Sequence, residues 1–284
     1  MNYYKRTDDA LLKDLLDAFG AVLIEGPKWC GKTTTASQLA NSILKMQDPG
    51  MRDEYLVTAK TKPSILLNGD TPRLIDEWQD APMLWDAVRT TVDDRQVPGQ
   101  FILTGSNAVD KSQIHHSGAG RIARLRMLPM SLWESQESTG EVSLKELFNN
   151  PDYDIDGKMS KMSIEDLIFA ASRGGWPASL LARTPKAQLL VAKNYVQTIC
   201  LDDISGIDRK RRDAKLTSMI LRAYARNVST LVKKKSLIDD VISSGEVSCH
   251  VDTFDDYVSA LEKLFVIQNV SAWCPAIRSK TAIR

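Results

Sequence analysis

Two short stretches of this chain hold residue types that do chemistry together. The first is Gly26-Pro27-Lys28-Trp29-Cys30-Gly31-Lys32-Thr33 and the second is the acidic pair Asp76-Glu77 within PRLIDEWQ. The first fits the phosphate-loop pattern G-x-x-x-x-G-K-[ST] without a mismatch. Glycines let a backbone wrap closely enough for successive N–H groups to face phosphate oxygens. The helix expected to open there adds its positive N-terminal end. Lys32 can then reach the β- and γ-phosphates, and the Thr33 hydroxyl can ligate magnesium.

The acidic pair supplies what such a loop lacks. Adjacent acids at the end of a buried strand are costly unless a positive charge faces them. Asp76 is expected to hold magnesium, through the ion's water shell, and Glu77 to polarise the attacking water as a general base. Only Leu74 and Ile75 lead into the acids after Pro72-Arg73, so the strand is short. FILTGSN offers a polar tip beside it. Ser106 is the expected sensor of the γ-phosphate, with Thr104 and Asn107 as alternatives, and a plain turn on Gly105 and Asn107 as the structural reading.

The elements that must carry these residues are legible from periodicity. TDDALLKDLLDAF, ended by Gly20, repeats at helical spacing. AVLI is a continuous apolar run, as in a parallel strand buried on both faces. SILKMQ, RLI, FILTGS and RIARLRML read as further strands, and PMLWDAVRTTVDD as a helix. Strands alternating with helices predict an α/β fold with a parallel sheet. Beyond Ser131 helical periodicity dominates, broken by NNPDYDIDGK and by Gly174-Gly175-Trp176-Pro177, which must stop a helix. KKKSLIDDVISS, TFDDYVSALEKLF and the strand-like VIQNVSAW follow the order of a winged helix-turn-helix. The closing residues, IRSKTAIR, carry no stop signal and read as a chain cut within a domain.

GPKWCGKTT, RLIDEWQDAP, QFILTGSN and GAGRI, in this order, resemble the prokaryotic AAA-type ATPases that carry a conserved, poorly characterised C-terminal extension. RGGWP and LEKLFVIQNVSAW extend the resemblance over nearly the whole chain. It implies a P-loop AAA-type sheet flanked by helices over residues 1–136. A helical lid and connecting helices follow over 137–228, and an incomplete winged-helix-like region over 229–284. It also implies ATP and Mg2+ as ligands, with nucleotide contacts from Gly26, Pro27, Lys28, Trp29, Cys30, Gly31, Lys32, Thr33 and Thr34. Arg121 matches the position from which such subunits offer an arginine finger to a neighbour's nucleotide. Arg73 and Arg95 are rivals, and a solvated strand face with Arg124 and Arg126 is the structural reading. Pro177, with Gly175, resembles a lid element lying against the adenine, beside the simpler reading of a helix break around buried Trp176.

Composition bounds the rest. The 284 residues have a net charge of +1, so any nucleic-acid surface has to be local. No apolar run approaches membrane length, and the charged N-terminus lacks the apolar centre of a signal peptide. Cys30, Cys200, Cys249 and Cys274 show no metal spacing and read as reduced structural thiols of a cytoplasmic protein. The basic runs DRKRRDAK and Lys233–Lys235 read as solvated helix faces, with phosphate contact as the alternative. Asp252, Asp255 and Asp256 at the start of the recognition-helix candidate argue against DNA. A homo-oligomer or a protein partner bound through the C-terminal region is the expected assembly. The leading expectation is a magnesium-dependent ATPase that couples nucleotide state to its C-terminal region. The alternatives are a regulatory switch with little turnover and a nucleotide-regulated DNA-binding protein.

Overall fold

The protein is described from a computed structural model that covers residues 3–106, 116–208, 210–243 and 248–270. An amphipathic helix, α1 (Asp8–Ala18), buries Leu12 and Leu16. Immediately after Gly20, the apolar run predicted as a doubly covered strand is β1 (Ala21–Glu25). It joins β2 (Ser42–Lys45), β3 (Arg73–Asp76), β4 (Phe101–Gly105) and β5 (Ile122–Arg126) in one parallel sheet ordered β2-β3-β4-β1-β5. Every predicted strand of this half is present, and the α/β class holds.

Strand alternation decides which core each side chain enters. Ala21, Leu23, Ile75, Phe101 and Leu103 face the helix α4 (Met83–Arg95) with its Leu84, Trp85 and Val88. Val22, Ile24, Leu74, Ile102 and Leu125 face the opposite layer, with α1 and Ala36 of α2 (Lys32–Ser37). Trp78 and Trp85 pack with ring centroids 5.1 Å apart. Because β4 lies between β1 and β3, the C-terminal ends of all three strands sit side by side. The helix α3 (Arg52–Thr61) connects β2 to β3.

The second half is helical, as its periodicity predicts. It comprises α5 (Leu144–Asn149), α6 (Ile164–Arg173), α7 (Pro177–Leu180), α8 (Pro185–Thr198), α9 (Ile204–Gly206), α10 (Ala214–Arg226), α11 (Lys234–Ser243) and α12 (Val251–Lys263). The local signals are sound. Ser163 and Asp166 form a capping box at the start of α6, and Gly174 ends that helix at φ 70°. Pro177 then occupies the first turn of α7, where its missing N–H costs nothing. Helices α8 to α12 share one core, built on Tyr195, Ile204, Ile220, Val241, Phe254 and Leu261. The closing strand expected of a winged helix is not present over residues 266–270, and Ser271–Trp273 lie outside the described residues.

Three residues of the basic runs pair with acids of α12. Lys210 and Arg212 pair with Asp256 at 2.8 and 2.9 Å, and Lys234 with Asp255 at 2.8 Å. The acids that opposed a DNA-reading helix therefore neutralise part of the charge that could have favoured one. Cys30, Cys200 and Cys249 are free and buried, and burial pushes all three thiols up from their usual value; Cys274 lies outside the described residues. Among the described residues no helix is long and apolar enough to cross a membrane.

One buried ion pair joins the N-terminus to the far side of the sheet domain. Arg6 Nε donates to Glu134 Oε1 at 3.0 Å, while its two other nitrogens donate to Cys30 O and Leu128 O at 2.7 and 2.6 Å. Burial pushes the Glu134 carboxyl up, but the N–H groups of Ser131 and Thr7 and the Arg6 guanidinium outweigh it. The net result holds the group at about 2, below its ordinary 4.5. A depressed carboxylate stabilises the fold above its unfolded value, and that stabilisation is lost as pH falls from 4.5 towards 2. Glu134→Gln is therefore expected to lower unfolding stability by roughly 3 kcal/mol at pH 7. In urea titrations the gap between variant and parent should shrink steadily as the pH is taken from 5 to about 2.

Candidate active site at the strand ends

The loop between β1 and α2 is shaped by three residues with positive φ: Gly26 at 157°, Trp29 at 64° and Gly31 at 102°. At Gly26 a Cβ would come within 2.0 Å of the Met127 carbonyl oxygen, so only glycine permits this approach. Lys32 is 5 % exposed, and its ammonium donates to Gly26 O at 3.0 Å and Pro27 O at 2.8 Å. Among the described residues no carboxylate pairs with it. Burial pushes the Lys32 pKa down, and the electrostatic pull of Cys30, Glu77 and Asp76 opposes that only in part. A buried cation with neutral carbonyl partners is a ready acceptor for an anion.

Asp76, the last residue of β3, gathers two hydroxyls on one oxygen. Thr33 Oγ1 donates to Oδ1 at 2.6 Å and Thr104 Oγ1 donates to the same atom at 2.7 Å. The Thr104 hydroxyl in turn accepts the N–H of Glu77 at 3.4 Å. Glu77 itself sits at φ 55°, a left-handed kink that turns it out of the strand's alternation. Its Oε2 accepts Ser106 Oγ at 3.3 Å and also a short hydrogen bond from Gln79 Nε2. The Thr33 hydroxyl and the Asp76 carboxylate are both hard oxygen donors, the type Mg2+ takes alongside phosphate oxygens and water. The residues present fit that ion.

A cavity of about 1110 Å³ opens over these groups. One side is polar, with Lys32, Thr33, Thr34, Glu77 and Ser106; the other is apolar, with Pro177, Ala178, Leu181 and Val191 from the helical half. Lys28, Trp29 and Gly31 also line it, and Tyr3 and Tyr4 close the N-terminal side. The helical half is fastened to the loop. Lys28 Nζ pairs with Asp203 at 2.6 Å, and Trp176 Nε1 donates to Lys28 O at 3.2 Å. Tyr195 sits between Trp29 and Trp176, with ring centroids at 5.7 and 4.5 Å. Met130 N–H donates to Gly175 O at 2.7 Å.

The expected loop residues, the acid pair, Ser106 and Pro177 thus converge on one place. Arg121 does not. It precedes β5, on the edge where strands begin, and its Nε pairs with Asp93 at 2.7 Å. A whole strand, roughly 15 Å, separates it from the loop of its own chain. The rivals lie on that edge as well: Arg73 donates to Leu66 O and Ser42 Oγ, and Arg95 covers the Phe101 ring. Asn107 lies outside the described residues. Arg6, Asp203, Tyr195 and the bridging role of Thr104 were not anticipated. Each acts on a partner at least 24 residues away in the chain, and no local pattern reports such a pairing.

Comparison with known proteins gives two family matches. Residues 18–136 match a family model described as an AAA domain, and residues 164–284 one described as a domain of unknown function (DUF8612). The uncharacterized proteins Rv2008c of Mycobacterium tuberculosis and Mb2031c of Mycobacterium bovis are each 24% identical over 279 residues. That alignment covers 95% of this chain and 54% of each relative, so the chain spans about half their length. Among solved structures, the FIGL-1 AAA domain in complex with ADP overlaps with a TM-score of 0.32 at 13% identity, covering 95% of this chain and 87% of that one. A mutant of Thermotoga maritima RuvB overlaps with a TM-score of 0.35 at 16% identity, covering 88% of this chain and 84% of its own.

Thr104 provides a direct check on the site's internal wiring. Thr104→Val keeps the shape but removes the donor to Asp76 and the acceptor for Glu77 N–H. It should cost about 1–3 kcal/mol in thermal or urea unfolding, because a buried backbone donor is left without a partner.

Proposed function

We propose that the protein, whose residues 18–136 match a family model described as an AAA domain, binds ATP with Mg2+ and hydrolyses it, coupling nucleotide state to its helical half. The observation that carries this reading is the buried Lys32 ammonium, held only by carbonyls beside the Thr33–Asp76 pair and Glu77. In this reading the phosphates take over Lys32, and the loop N–H groups and the start of α2 bind their oxygens. Thr33 and Asp76 hold Mg2+, which when bound neutralises charge developing on the transferring phosphoryl. Glu77 takes the proton from the attacking water, and Ser106, at the tip of β4, senses the γ-phosphate. Pro177 and its neighbours cover the base.

The coupling rests on where the loop is fastened. Lys28 and Trp29 lie inside the phosphate-loop sequence, yet their partners Asp203, Tyr195 and Trp176 belong to the helical half. Phosphates that draw Lys28 inward compete with Asp203 for the same ammonium. The shared core of α8 to α12 would pass that change on as the shift of one body. The proposed units are an ATPase core over 1–136, a lid over 137–228 and a C-terminal region from 229 that packs on the lid's core. Arg121 is half-exposed on the strand-start edge, so its proposed action is on the nucleotide of a neighbouring copy in a homo-oligomer.

Glu77→Gln tests the chemistry. ATP binding should persist in equilibrium titrations, while phosphate release falls by about 10²- to 10⁴-fold, the usual weight of a general base. Turnover that survives the change sinks the base assignment. Turnover of the unaltered protein no higher than that of Lys32→Ala would favour a switch with little hydrolysis. The coupling has its own test in Asp203→Asn, which frees Lys28 for phosphate. ATP should bind about two- to fivefold more tightly, the scale of a part-exposed ion pair; an unchanged Kd would remove Lys28–Asp203 from the coupling.

A further inference from the structure

Gln79 has no place in the scheme above, although it touches the residue on which hydrolysis depends. The left-handed kink at Glu77 starts the short 3-10 turn Trp78–Asp80, and that turn brings Gln79 back beside the Glu77 carboxylate. The Gln79 side-chain N–H group donates to Glu77 Oε2, the oxygen that also accepts Ser106 Oγ. Its carbonyl oxygen is buried and has no partner among the described residues. Room for that carboxamide is made from the neighbouring strand. A Cβ at Gly105 would stand 2.9 Å from Gln79 Oε1 and 3.1 Å from Trp78 Nε1. Gly105 is therefore glycine for space, at a backbone conformation open to other residues.

We propose that Gln79 is a positioning residue for Glu77: its carboxamide, seated over Gly105, aims the carboxylate at the water from which it takes a proton. The proposal rests on Glu77 as the base. A carboxylate on a kinked, cavity-facing turn has several staggered rotamers, and two donors on one oxygen select one of them. The other oxygen, Oε1, is then left to meet water. Ser106 cannot do this alone, since the same hydroxyl is needed by the γ-phosphate when nucleotide is bound. Gln79 lies in the turn that follows Glu77 and has no phosphate to serve in this scheme, so its bond is free to persist through that exchange.

Gln79→Leu keeps the side chain's bulk and deletes the donor. Turnover should fall about 10- to 100-fold, the range for residues that orient a reacting group through one hydrogen bond, with the KM for ATP changed less than twofold. Gln79→Asn retains the amide but withdraws it by one methylene, and should show the same split between kcat and KM. Added to Glu77→Gln, Gln79→Leu should cost almost nothing further, because the two residues act through one carboxylate. Equal turnover in Gln79→Asn and the parent, a rise in turnover, or additive losses in the double variant would each overturn the proposal. If Glu77→Gln itself keeps its turnover, the underlying base assignment has failed instead.

Discussion

One carboxylate oxygen ties the catalytic end of the sheet together. Asp76 Oδ1 accepts the hydroxyls of Thr33 and Thr104, so a single atom joins the start of α2, the end of β3 and the end of β4. The sheet order makes this necessary, because β4 lies between the strand that ends in the loop and the strand that ends in the acids. Thr33 joins the loop to the acid directly, and a side chain on β4 ties that contact to the strand between them. Thr104 is that side chain, and it also receives the backbone N–H of Glu77 at the kink. The proposed metal ligand and the proposed base are both bonded to the same hydroxyl.

Around that centre the loop is held from outside at both ends. Arg6 fixes Cys30 O from the N-terminal segment and anchors the arrangement on Glu134, beyond the last strand. Lys28 and Trp29 are fixed from the helical half by Asp203, Trp176 and Tyr195. The two restraints differ in kind. The Arg6–Glu134 pair is almost wholly buried, while Lys28 is more than a third exposed. Breaking the first leaves a charge stranded in the interior, whereas breaking the second returns a lysine to water. The first is suited to permanence and the second to exchange.

Much of the fold was legible because its signals are local. Four apolar residues before a glycine loop mark a strand covered on both sides, and β1 is buried on both. Ser163 with Asp166, and Gly174 before Pro177, mark a helix start and a helix stop, and both occur where the signals stand. The winged-helix strand was less secure, since VIQNVSAW has strand composition but no turn or partner strand nearby to fix it. The basic runs lie largely exposed, as read, but their partners are not local. A run of lysines and arginines reads as available charge until the acids that face it, Asp255 and Asp256, are placed by tertiary packing.

What the sequence alone determined is the phosphate-loop pattern and the acid pair at a strand end. Both depend on residues within a few positions of one another, where backbone geometry ties spacing to function. The lysine, the two glycines and the threonine must sit on one turn, and Asp76 and Glu77 at one strand end. Only the tertiary structure decided which strand stands between them and which hydroxyl bridges them. It alone decided that Arg121 belongs to the opposite edge and that Gln79 and Ser106 share Glu77. The long-range bonds that hold the site join segments 24 to 175 residues apart, and their partners are chosen by sheet order and helix packing.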